Sequence, residues 1–137
     1  MSATRRLSLF PVMIAVLFLA ACQTADTSVD NNDITGIYYL VKVDGAAVPT
    51  TVSHDGVALG VRSGVFIISD NGTCFSRIRF VPAGGDAMTR EAHAKYRVKD
   101  SRLIMHWKGA GMTEGNVAGQ TFIMDNHGMI FEYTRSG

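Results

Sequence analysis

The chain reads as an all-β protein, a single eight-stranded antiparallel up-and-down barrel that follows a cleavable leader. Three observations predict this. Apolar and polar residues alternate with period two over most of 35–135, as half-buried antiparallel strands require. Turn-forming pairs punctuate those runs every 8–12 residues or so. No window beyond the leader carries a sustained helical stripe, while all 14 glycines of the 137-residue chain lie after residue 35.

Residues 1–21 stand apart. Arg5 and Arg6 precede an apolar run at 7–19, broken only by Ser8 and Pro11, and no acid occurs there. The run is too short for a bilayer span and has the layout of an export signal. Beyond residue 21 the charge balance is 11 Lys+Arg against 12 Asp+Glu, net −1, which excludes a domain built as a basic nucleic-acid binder. The segment 23–33 (QTADTSVDNND) is polar and poor in apolar residues, as a tether is. The expected division is leader 1–21, tether 22–34 and one barrel domain 35–137, a usual size for one core.

Eight strands are expected in order. In 35–43 the alternation sets Ile37, Tyr39, Val41 and Val43 against Tyr38, Leu40 and Lys42, and the first set is taken as inward. Strands at 46–52 and 58–69 follow the Asp44-Gly45 turn. Asp70-Asn71-Gly72 then leads to 73–81, where Cys74, Ser76, Ile78 and Phe80 oppose Phe75, Arg77 and Arg79. A loop is expected at 82–90 (PAGGDAMTR). Strand 91–99 faces Ala94, Tyr96 and Val98 inward, and Asp100-Ser101 turns it into 102–108 with Leu103, Met105 and Trp107 inward. The last two strands are 113–124 and 128–135, the latter with Met129, Phe131 and Tyr133 inward. Short connections favour an up-and-down barrel over a Greek key.

Leu19-Ala20-Ala21-Cys22 closing the leader resembles the lipobox of bacterial lipoproteins. The resemblance implies a diacylglyceryl thioether on Cys22, cleavage after Ala21, and an N-terminal acyl chain such as palmitate. Gln23 in place of an aspartate leans toward the outer membrane, with the domain facing the periplasm. Gly36-Ile37-Tyr38, Val43-Asp44-Gly45, Val48-Pro49, Ser63-Gly64-Val65-Phe66, Asp70-Asn71-Gly72-Thr73 and 128–133 (GMIFEY) together resemble small lipocalin-like domains of bacterial lipoproteins. Tyr38 stands where the lipocalin signature has tryptophan. That resemblance implies architecture and little chemistry.

Candidate functional residues are few. There is no phosphate loop, no nucleophile elbow, no His-Glu-x-x-His and no Cys-x-x-Cys, so neither an enzyme nor a resident metal or cofactor is expected. His54, His93, His106 and His127 are scattered. Met105, Met112, Met124 and Met129 near His106 and His127 invite a soft copper site, but core filling explains Met105 and Met129 as well. Once Cys22 is acylated, Cys74 is left without a disulfide partner and is expected to be buried. The inward set Tyr39, Cys74, Ile78, Phe80, Tyr96, Met105, Trp107, Phe131 and Tyr133 is either core or the lining of a ligand pocket, since both share one composition. A head group would fall to Arg77, Arg79 or Arg97 only where one lies near the rim. Arg77, Arg79, Lys95 and Arg97 also form an outward basic stripe that could meet the phosphates of lipid or lipopolysaccharide. The glycine-rich segment 108–119 suits tight bends at a barrel rim or a mobile loop over its mouth. Two functions remain: a membrane-anchored barrel that binds a small apolar ligand or serves the envelope structurally, or a protein-binding module like the barrel-type periplasmic protease inhibitors. A lumen void of about 300 Å³ or more would favour the first.

Overall fold

A computed structural model describes residues 34–137; the leader and the Cys22 acylation site lie outside the described residues. Ten strands and no helix occur among these residues: β1 (Gly36–Val43), β2 (Ala46–Ala47), β3 (Thr50–His54), β4 (Val57–Ile68), β5 (Thr73–Pro82), β6 (Met88–Lys99), β7 (Arg102–Trp107), β8 (Gly111–Ala118), β9 (Thr121–Asn126) and β10 (Met129–Arg135). Every pairing is antiparallel. The sheet runs β2-β1-β10-β9-β8-β7-β6-β5-β4-β3 and closes through β1 against β4, which makes an eight-stranded barrel with two extra strands. Closure leaves these eight strands no free edge along their paired lengths and encloses a hydrophobic core.

The two extra strands have a physical cause. β1 and β4 pair only over Gly36–Tyr39 and Val65–Ile68. Immediately beyond, each strand carries a bulge, between Leu40 and Lys42 in β1 and between Val61 and Ser63 in β4. A bulge bends its strand and raises the local twist, so the two strands part. The segment from Ala46 to His54 fills the gap, pairing first with β1 and then with β4. It is interrupted at the cis Val48–Pro49 peptide. The barrel is therefore wedged wider at one end.

This arrangement corrects three expectations. The run 46–52 is the wedge and not a stave of the barrel. The run 113–124 is a hairpin, β8 and β9, reversed at Gly119 with φ +60°. The loop after Pro82 is shorter than expected because β6 begins at Met88. Eight staves remain, but they are β1 and β4–β10.

Tight turns follow their residues. Asp44-Gly45, Asp55-Gly56, Asp100-Ser101 and His127-Gly128 each place two consecutive residues at positive φ, the geometry whose twist matches two-residue hairpins. Asp44 also ties β1 to β10: its carboxylate accepts from the Ile130 amide at 2.8 Å, and its own amide donates to the Ile130 carbonyl at 2.8 Å.

The end of the barrel where residue 34 joins is plugged. Tyr38, Phe66, Phe122 and Tyr133 are fully buried and mutually packed, with ring centroids 4.7–5.8 Å apart in the contacting pairs. Gly115 makes this possible, since a side chain there would run into the Phe122 ring, with Cζ 2.9 Å from its Cβ. Tyr38 donates its hydroxyl to the Ile34 carbonyl at 2.6 Å and accepts from Arg135, whose guanidinium lies 5.3 Å from the ring centre.

Candidate functional site: the open half of the barrel

Above this plug the lumen is open. A cavity of about 460 Å³ occupies the wide end, opposite the end where residue 34 joins. Leu59 and Val61 of β4, Ile78 and Phe80 of β5, and Trp107 of β7 form much of its apolar wall. Met124, Met129 and Phe131 of β9 and β10 complete it. Small residues hold the space open: Ala92 faces the cavity from β6 and Ala110 from the β7–β8 turn. The volume falls in the range of ~300–1,000 Å³ usual for small-molecule sites.

Polar groups occur at two levels. Inside, Ser76 and Thr113 are buried polar side chains in the cavity wall. The Trp107 indole N–H donates to Thr113 Oγ1 at 2.7 Å, which fixes the ring as one side of the wall, and Thr113 Oγ1 lies 3.8 Å from the Met124 sulfur. Beneath, the Tyr133 hydroxyl is fully enclosed without a hydrogen-bond partner among the described residues. Burial raises its pKa, and the neighbouring Ser76 hydroxyl offsets that in part without closing a hydrogen bond. At the mouth stand His54, Arg90, Asn126 and His127. No Asp or Glu lines the cavity; Arg90 brings a positive charge to its rim, while the His54 imidazole there lies 3.4 Å from the Asp55 carboxylate.

Of the inward set predicted from the sequence, Ile78, Phe80, Trp107 and Phe131 line the cavity. Cys74, Met105 and Tyr133 lie in the core, with Tyr96 packed against it. Tyr39 is a correction. It is 49% exposed, while Tyr38 and Leu40 face inward. Counting back by twos from the buried Val43 puts Tyr39 inside, but the bulge between Leu40 and Lys42 shifts the phase by one residue. Trp107 is half-buried, because one side of its ring faces the cavity. Arg77, Arg79 and Arg97 point outward and none reaches the mouth. Arg90 does, and alternation identifies it only once β6 is known to begin at Met88, since 82–90 otherwise reads as loop.

Cys74 is 2% exposed and burial pushes its thiol up to about 12 from 9.0. Above pH 9 an unfolded chain releases a proton that the folded chain keeps. The stabilising contribution is therefore complete below about pH 9 and is lost as pH rises from there toward 12. Tyr133 and Tyr96, also raised by burial, add loss in the same direction above pH 10. The urea midpoint is expected to fall between pH 9 and 11, and to fall less steeply in Cys74→Ala. Native Cys74 reacting with a thiol reagent at pH 8 as fast as free cysteine would contradict this placement.

Among the described residues no three His, Cys, Asp or Glu side chains converge as metal ligands do. Comparison with protein-family models, with curated proteins and with solved structures finds no match to this chain.

Proposed function

We propose that the protein is a lipocalin-like binding lipoprotein: a barrel that holds one small, mainly apolar molecule and is anchored through acylated Cys22 to the outer membrane, facing the periplasm. The observation that carries the reading is the cavity of about 460 Å³ bounded by aromatic and aliphatic walls above a filled plug. Affinity would come from apolar burial, at about 25 cal/mol per Å². Ser76 supplies a hydroxyl within the wall, and Arg90 with His54 and His127 supplies donors at the mouth. This division fits an amphiphile with its apolar body inside and a polar or anionic head at the rim.

Geometry supports the anchored arrangement. Residue 34 joins the barrel beside Tyr38 and Arg135 at the plugged end, while the cavity opens at the other. A tether attached there leaves the mouth unobstructed and directed away from its point of attachment.

Native mass spectrometry of the mature protein extracted from membranes tests the reading. Acylated protein carrying one additional small molecule, released on mild activation, is the expected result. A clean mass of acylated protein alone, whatever the extraction detergent, would turn the assignment toward the protein-binding module.

A further inference from the structure

The near-neutral composition hides a strongly polarised surface. Of the 11 Lys and Arg after residue 21, seven lie exposed on the outward side of three adjacent strands: Arg77 and Arg79 on β5, Lys95, Arg97 and Lys99 on β6, Arg102 on β7 and Lys108 just after it. Glu91 is the one acid on the outward faces of those strands, with Asp70, Asp86 and Asp100 in the flanking turns. Glu91 pairs with Arg77 at 2.8 Å, and Glu114 of β8 pairs with Arg102 at 3.3 Å. Arg79, Lys95, Arg97 and Lys99 make no ion pair among the described residues. The remaining strand acids, Glu114, Asp125 and Glu132, lie on β8–β10.

An apolar band borders these cations. Ile37, Ile67, Phe75 and His93 are successive register partners across β1, β4, β5 and β6, and Tyr39, Val65 and Arg77 form the adjacent row. Ile37 is 43% exposed and Tyr39 49%. Arg77 lies over the Phe75 ring at 5.4 Å and His93 packs against it at 5.0 Å. A core function cannot account for these side chains, since they stand on the outside of a closed barrel.

We infer that the outward face of β4–β6, with its apolar border on β1, docks onto the surface of an anionic phospholipid bilayer. Unpaired cations beside exposed apolar and aromatic side chains suit the boundary between phosphate head groups and acyl chains. A purely polyanionic partner would use the cations and leave the apolar band in water. The polypeptide also leaves the barrel from the border of this face, since Gly36 pairs with Ile68 of β4. The acyl chains on Cys22 would hold the protein at the bilayer, and a basic patch would add attraction of about 1 kcal/mol for each Lys or Arg near an anionic surface. The barrel would then rest on its side, its mouth opening along the membrane surface.

The test uses residues 23–137, which lack the acylated cysteine and contain the whole closed barrel. Co-sedimentation with vesicles of phosphatidylcholine alone is compared with vesicles containing about 30% phosphatidylglycerol. Partitioning onto the anionic vesicles is expected to be at least about tenfold higher at ~0.1 M salt and to collapse toward the neutral level at ~0.5 M. Arg79→Glu/Lys95→Glu/Arg97→Glu should abolish the difference, and Tyr39→Ser/Phe75→Ser should lower binding severalfold. Ile123→Glu on the far side, exposed on β9 and flanked in register by Glu132 and Asn116, should leave it unchanged. Equal binding to both vesicle types, or an unaffected triple variant, overturns the inference. So does salt-sensitive capture on heparin with no pelleting on anionic vesicles, which would assign the face to a soluble polyanion.

Discussion

Phe66→Ala is expected to cost about 3–5 kcal/mol of folding stability, the usual loss for truncating a fully buried aromatic side chain. Phe66 is 0% exposed, and its ring lies 4.7 Å from Phe122, 5.6 Å from Tyr133 and 6.0 Å from Trp107. It is the side chain that joins the plug to the cavity wall. The surrounding strands are closed into a barrel, so they cannot collapse far into the vacated space, and a residual void adds to the lost transfer energy. For a domain of this size the melting temperature should fall by roughly 12–30 °C. Trp107 would lose its edge-on partner, so its emission should shift as well. Thermal unfolding followed by far-ultraviolet circular dichroism decides the matter, and a loss below about 1 kcal/mol would show that the plug does not carry the fold.

The fold class was readable because alternation is a local signal. Along β5, β6, β7 and β10 the residues spaced by two do share the inward face: Cys74 with Ser76, Ala94 with Tyr96, Leu103 with Met105, and Phe131 with Tyr133. Alternation fails where the backbone gains a residue. In β1 the bulge after Leu40 exchanged the faces, and no side chain there announces it. The reversal at Gly119 was hidden for a related reason: Ala118-Gly119-Gln120 carries one turn-favouring residue inside an otherwise continuous run. The wedge depends on two bulges facing each other across distant strands, which is a tertiary event and leaves little local trace.

The site was legible as a set of inward residues but not as a cavity. Phe131 and Tyr133 alternate identically, yet the first lines open space and the second sits in the plug. What separates them is depth along the barrel axis, set by strand stagger that composition does not encode. The same limit hid that Ser76, read as inward along with Cys74, Ile78 and Phe80, and Thr113 would set buried hydroxyls in the wall of open space. Outward charge was easier to read, since Arg77, Arg79, Lys95 and Arg97 fall on one face by parity; the structure extends that stripe to β7 and adds its apolar border.

Occupation of the cavity is the central claim, and filling it from the protein side tests it most directly. Ala92 faces the cavity from β6, opposite Ser76 in register, where a large ring can occupy space that the wild-type chain leaves open. Ala92→Trp should exclude on the order of 100 Å² of ligand contact, worth about 2.5 kcal/mol and hence roughly a 50-fold loss of affinity. Folding should be preserved, because the new side chain enters existing space instead of displacing packed atoms. The measurement is titration of a fluorescent fatty-acid probe into both proteins, with melting temperatures recorded alongside. An occupied cavity requires saturable one-to-one binding at micromolar wild-type protein and its near loss in an equally stable Ala92→Trp. Equal probe binding by the two folded proteins, or none by either, would contradict it.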